Sequence, residues 1–473
     1  MSGGKDRVPT PAPRGRITHM LSARPLLLLA FAFAVMADPV SSVAYAIEAA
    51  LRALGGDLAL LIPTMGAVVA IIAVVVVNYQ QLIARYPQGG GAAAAIGEAF
   101  GEGWAFVPIA ALVVDFVLTI AISVSAGASA VIAYFPSLKA ERLLLALALI
   151  LVVAAMTWFG HLGRLVFALM TIAFIAVAIT VLWYGWGASP QPVGMIAATA
   201  GHQPLLAVAL AFPVAMALAT GVEAPSSAIA QLGQLDDAGR RRFGQITLWM
   251  MLGIVGTITM GLSLEAHHLQ IGIPTTETTQ IAELARVAAP APVFAAFQLV
   301  TALLLLSAAS SSFQAGPGLL KALARHTDGA GRSTGILPPL LGRTNLRYTP
   351  YYGVALFTVI AAAVTAAAGG EDQTLVLFYA VSVFLSFLAG LVAMAVFSRR
   401  ERRPGRLVLN VVGAVVVGFT LLINLARGEP VFSLLAAVLL AGVLHRLWVR
   451  AGRPRGVRAT LALTEPRSSE DED

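Results

Sequence analysis

The sequence of 473 residues contains no cysteine, which excludes disulfides and thiolate metal sites. Charge is also scarce. Asp, Glu, Lys and Arg make up 12% of the chain and hydrophobic residues 58%, far from the roughly 25% charge of a soluble domain. Lys, Arg and His are absent from the middle of every long apolar run; Arg52, His161 and Arg164 fall near run ends. There is no heptad pattern and no repeat of the period that marks a solenoid or propeller. Gly89-Gly90-Gly91 follows Tyr86-Pro87 but lacks both a preceding strand and a following Lys-Ser/Thr, so it reads as a loop breaker rather than a phosphate cradle. A cleaved leader is not expected. The apolar run after the basic N-terminus continues past Asp38 without a small-x-small site.

What is present is a series of apolar stretches long enough to cross a hydrocarbon core. They place six spans near 25–54, 58–84, 104–134, 142–158, 162–186 and 205–231. Six more fall near 244–266, 291–323, 351–369, 373–397, 405–427 and 429–450. The expected division is a basic cytoplasmic tail at 1–24, a transmembrane domain at 25–450, and a disordered cytoplasmic tail at 451–473 that ends in an acidic run. Basic residues orient the array. With the N-terminus inside, every Lys and Arg is cytoplasmic except Arg52, Lys139, Arg142, Arg286 and Arg427, the asymmetry required by the positive-inside rule. Both termini are therefore expected in the cytoplasm of a cell-membrane protein. The same asymmetry accounts for the net charge of +7 without a nucleic-acid partner.

Two motifs interrupt the apolar pattern at corresponding places in the two halves. Asp38-Pro39-Val40-Ser41-Ser42 lies in the first span and Glu223-Ala224-Pro225-Ser226-Ser227 in the sixth. Proline removes an N–H and disfavours helix at the residue before it, so both spans are expected to break there. Paired interruptions of this kind point to the binding site of an inverted-repeat transporter. Asp115 adds a third carboxylate at membrane depth. An acid at a helix centre costs about 2.5–3.5 kcal/mol on an insertion scale, so such residues need a partner or a purpose. With no basic residue at that depth, protons or an incoming cation must offset Asp38, Asp115 and Glu223. Hard oxygen donors surround them. Tyr45 is two turns beyond Asp38; Asp115, Thr119 and Ser123 form one stripe; Thr220 adjoins the second break. Serine and threonine in spans also serve packing, and Tyr379 could equally be a wall residue. Glu48 reads as a rim charge or a ligand. Ser307, Ser310, Ser311 and Ser312 read as a second cation site or a close-packing stripe.

These residues carry a family resemblance. Asp38-x-x-Ser41-Ser42-Val43-Ala44-Tyr45, Tyr86-Pro87-Gln88-Gly89-Gly90-Gly91, Asp115-Phe116-Val117-Leu118-Thr119 with Ser123-Val124-Ser125-Ala126-Gly127, Thr220-Gly221-Val222-Glu223-Ala224 and Tyr379-Ala380-Val381 follow in order over about 25–450. The chain resembles the amino acid–polyamine–organocation (APC) superfamily and, within it, KimA-like and KUP-like potassium importers. The resemblance implies an all-α LeuT-like fold: two inverted five-helix repeats with helices 1 and 6 broken, plus two helices often used for homodimer contacts. It also implies proton-coupled potassium uptake with no cofactor and no enzymatic activity. The implied cation ligands are Asp38, Tyr45, Asp115, Thr119, Ser123, Thr220 and Tyr379, with Glu223 as a coupling or gating acid. The sequence departs from the pattern in three ways: Phe116 replaces a tyrosine, Pro39 follows Asp38, and the C-terminal soluble domain of some members is absent. The rival reading is a proton-coupled amino acid or polyamine permease of the same superfamily. A substrate carboxylate would meet the fixed Asp38 charge in that case, whereas a cationic amine would suit the acids.

Overall fold

The structure, a computed structural model, describes residues 24–160, 163–197, 203–325 and 335–457. The terminal tails read from the sequence lie outside those residues up to 23 and beyond 457, as do His161 and Arg332. Among the described residues ten helices are long and apolar enough to cross a membrane, and strand structure is confined to isolated bridges. The other two expected spans take different forms. The ninth is a 17-residue apolar helix, Tyr351–Ala367, and the first is built from three consecutive pieces, Arg24–Val35, Ala37–Ser41 and Val43–Ala53. Large hydrophobic side chains lie bare on the outer helices, among them Leu151, Trp183, Val415 and Leu439. Such a surface suits lipid and would be a liability in water.

The first span corrects the sequence reading. Its helix does not unwind at Asp38-Pro39; it is interrupted only at Met36 and Ser42, both of which keep helical φ and ψ. The serine pair supplies the reason. Ser41 donates its hydroxyl to the Asp38 carbonyl at 2.7 Å and Ser42 to the Pro39 carbonyl at 2.8 Å. Pro39 thus removes one donor while two hydroxyls hold the following turn. The sixth span does break, but before its proline. Pro204–Ala215 tightens into a 3-10 turn at Met216–Ala219, Thr220 turns extended, and Gly221 takes φ +71°. Helix resumes at Ala224–Ala228, with Pro225 in the first turn where a missing N–H costs little.

The remaining spans are Leu58–Arg85, Phe106–Tyr134, Arg142–Phe159, Arg164–Gly185, Asp237–Leu269, Ala291–Ala324, Asp372–Arg400, Pro404–Leu425 and Val431–Arg450. Their packing repeats when each of the first five spans is exchanged with the one five places on. Spans 1 and 6, 2 and 7, 3 and 8, and 4 and 9 touch each other. The contact of 3 with 10 is matched by 8 with 5, that of 1 with 5 by 6 with 10, and that of 1 with 7 by 6 with 2. Because five is odd, the two halves cross the membrane in opposite senses. This is the inverted 5+5 arrangement, and spans 11 and 12 pack outside it against the tenth and third. Gly89, Gly90 and Gly91 all have positive φ and form the loop breaker expected of them. A side chain at Gly91 would strike the Ser226 hydroxyl, so this loop closes onto the broken span.

Candidate functional site

The fold brings the three membrane acids into one place. Asp38, Asp115 and Glu223 all line a cavity of about 390 Å³ bounded by spans 1, 3, 5, 6 and 8. Its far walls are the start of the fifth span at Gly163 and Phe167, the end of the sixth at Gln231, and the end of the eighth at Lys321. The cavity therefore runs from the middle of the bundle toward the face whose loops carry most of the basic residues. Among the described residues no ion pair engages any of the three acids. Asp38 Oδ1 and Glu223 Oε2 are buried without a hydrogen-bond partner, while Asp115 Oδ1 accepts from Ser382 at 3.1 Å.

Asp38 is held in place by the broken span. A Cβ added at Gly221 would lie 2.8 Å from both Asp38 Oδ2 and Pro39 Cδ, in a backbone conformation that disfavours any side chain. Gly221→Ala carries about 1–2 kcal/mol of left-handed strain in addition to the clash with the acid. The variant is expected to insert in the membrane, melt several degrees lower, and lose at least about tenfold in uptake, since 1.4 kcal/mol is a factor of ten. Wild-type uptake by a purified Gly221→Ala protein would mean that this contact does not position Asp38.

The other sequence-nominated residues lie beyond the cavity wall. Tyr45, Thr119, Ser123, Thr220 and Tyr379 are buried and do not line the open space. The Thr220 hydroxyl donates to the Ala217 carbonyl at 2.7 Å. Thr119 and Tyr379 share a hydrogen bond of 2.9 Å. Ser382 donates to Asp115, lies one turn after Tyr379, and joins this hydroxyl layer to the cavity acids. The Ser123 hydroxyl is buried and unpaired among the described residues. The result is a compact layer of oxygen atoms on spans 1, 3, 6 and 10, with carboxylates at its cavity edge.

Three participants escaped the sequence reading. Ser382 lies one turn after Tyr379, and its hydroxyl also donates to the Tyr379 carbonyl at 3.0 Å. Its helical spacing was the available signal. Gly221 was visible as part of the Thr220-Gly221-Val222-Glu223-Ala224 motif but with no role of its own. Lys321 sits at the end of the eighth span, yet it lines the cavity mouth. Of the serine cluster, Ser311 and Ser312 reach the cavity while Ser307 bonds back to the Leu303 carbonyl, so the cluster serves both wall and packing.

At the opposite end the bundle is sealed. Glu48, read as a rim charge or a ligand, is buried and pairs with Arg52 at 2.8 Å. Its other oxygen accepts from the Gln280 backbone N–H at 2.8 Å. Asp372 accepts from Ser129 at 2.7 Å, and Arg142 bonds to Ser129 and to the Thr276 carbonyl. These contacts clamp the helix Gln280–Ala288 and the tenth span over the hydroxyl layer. The same acids are thus closed from one face and reached from the other.

The chain is 28% identical over 406 residues to "Potassium transporter KimA" of Bacillus subtilis (strain 168), covering 80% of this chain and 63% of that protein. It therefore spans less than two thirds of that relative's length. Among solved structures, two mutants of the Eremococcus coleocola manganese transporter align at 15% identity over 93% of this chain and 97% of theirs, with TM-scores of 0.48 and 0.46. A family model described as amino acid permease matches residues 26–443, nearly the whole membrane domain. The chain belongs to the amino acid permease family of the APC superfamily: it is a multi-pass membrane transporter, not an enzyme.

Proposed function

We propose that this protein imports a small cation, potassium first, by coupling its movement to protons. The observation that carries the reading is the convergence of three carboxylates in one cavity with no ion pair among the described residues. Uncompensated acids at membrane depth are costly, and an entering cation or proton relieves that cost. The hydroxyls of Tyr45, Thr119, Ser123, Thr220 and Tyr379 supply oxygens to replace the hydration shell of a dehydrated ion. The similarity to a potassium transporter adds to this reading. Asp38 and Asp115 act as charged ligands and Glu223 as the coupling acid. Both termini and the cavity mouth face the cytoplasm, so the arrangement is inward-facing with its outer end closed by the Glu48–Gln280 and Asp372–Ser129–Arg142 contacts. Residues 25–450 form the transport domain, with cytoplasmic tails on either side.

One observation favours a second reading. A cavity of about 390 Å³ exceeds the needs of a bare ion and would accept an organic amine or an amino acid. The test is rubidium uptake into proteoliposomes, with competition by amino acids and polyamines. Saturable rubidium uptake indifferent to those competitors supports the cation; uptake of an amine without rubidium transport overturns it.

Phe116 separates the two readings further, because it lines the cavity next to Asp115. If a dehydrated ion binds there, Phe116→Tyr adds an oxygen, and rubidium affinity should hold or improve by a few-fold. If an organic substrate packs on the ring, the added hydroxyl should weaken its uptake. A clear fall in rubidium affinity counts against the ligand assignment.

A further inference from the structure

Another buried acid lies far from this cavity. Glu265 is near the end of the seventh span, is 6% exposed, and neither of its carboxylate oxygens has a hydrogen-bond partner among the described residues. Its carboxyl group fills the space that a side chain at Gly185 would occupy, so that a Cβ there would coincide with Oε1, beside the Ala288 methyl. Glu265 is therefore wedged between the end of the fifth span and the end of the helix Gln280–Ala288. The cavity mouth lies at the opposite end of the fifth span, by Gly163.

No charge among the described residues meets it there. On the packed helix, Glu283 pairs with Arg286 at 2.7 Å, and Arg286 also donates to the Ala133 carbonyl. The fifth span ends in Tyr184 and Trp186, both exposed. On the first span Glu48 and Arg52 are engaged with each other, and on the second Asp57 caps its own helix while Arg85 lies at the far end. Asp38 belongs to the cavity. On its own helix the titratable neighbours are half-buried His267 and exposed His268. A carboxylate with two unpaired oxygens in apolar surroundings is far costlier than the neutral acid.

We propose that Glu265 is a second proton-binding site, separate from the three-acid cavity, that holds its proton while the seventh span is packed on the end of the fifth. Ionisation would demand water and force the two spans apart, so occupancy of this site favours the closed end seen here. The site belongs to the transporter whatever its cargo.

The test therefore uses no substrate. Infrared spectra of the purified protein near pH 7 should show the carbonyl stretch of protonated carboxylic acid, reduced by one group's amplitude in Glu265→Gln. Because the native state holds a proton that the unfolded chain releases, stability falls as pH rises. The melting temperature of Glu265→Gln should match wild type near about pH 4 and exceed it by several degrees near about pH 8. Glu265→Met fills the same space without a polar group and should lack the same band, which guards against a folding defect of the amide. An unchanged band, or melting curves that stay parallel across that pH range, overturns the proposal. Failure of rubidium transport would leave both readouts intact.

Discussion

Asp38→Asn is expected to reduce rubidium uptake to background while the protein still inserts and purifies normally. Asparagine has nearly the same shape and is easier to bury, so the fold should tolerate it. The loss falls on the loaded state. Asp38 projects from an intact helix into the cavity, with one oxygen against Gly221 and the other unpaired, free to ligate. Removing one member of a buried charge pair costs about 3–5 kcal/mol. By the rule of tenfold per 1.4 kcal/mol, that is about two to four powers of ten in affinity. Asp115→Asn should behave similarly and also disturb the Ser382 bond. Uptake at the wild-type rate by a purified, correctly inserted Asp38→Asn protein would sink the cation-site reading of the first span.

Glu223→Gln should separate cation movement from proton movement. Glu223 lines the cavity just after the break in the sixth span, with one oxygen buried and unpaired. An acid that is protonated when dry and ionised when the cavity hydrates can link the two fluxes. The amide imitates the protonated form permanently. The variant is expected to exchange rubidium across the membrane but not to accumulate it when a pH gradient is imposed. An internal pH dye should report proton influx on cation addition in wild type and almost none in Glu223→Gln. Undiminished influx would transfer the coupling role to Asp38 or Asp115.

These two experiments address residues that were legible in the sequence. Asp38, Asp115 and Glu223 stand out because a carboxylate in an apolar run is rare for a physical reason, and the penalty holds in any membrane fold. The positions of Leu58–Arg85 or Pro404–Leu425 were equally legible, since span length follows from bilayer thickness. The break in the first span was misjudged. A proline announces a missing donor, but whether Ser41 and Ser42 turn back to hold the helix depends on their rotamers. Lys321 was passed over because it lies at a helix end, and only the packing of the spans shows that it borders the cavity. Glu265 drew no notice for the same reason, because its isolation arises from Gly185 on another span.

The sequence by itself determined that this is a polytopic membrane protein, where its chain crosses, and which three acids must have a purpose. Those properties are local, or follow from the cost of moving each residue from water to hydrocarbon. Only the tertiary structure decided that the acids share one cavity, that Tyr379 bonds to Thr119 while Ser382 serves Asp115, and that Glu48 closes the opposite end by accepting from the Gln280 backbone N–H. Such pairings join spans separated by hundreds of residues. They are set by how two inverted halves pack, and hydropathy along one chain carries no information about which helix becomes the neighbour of another.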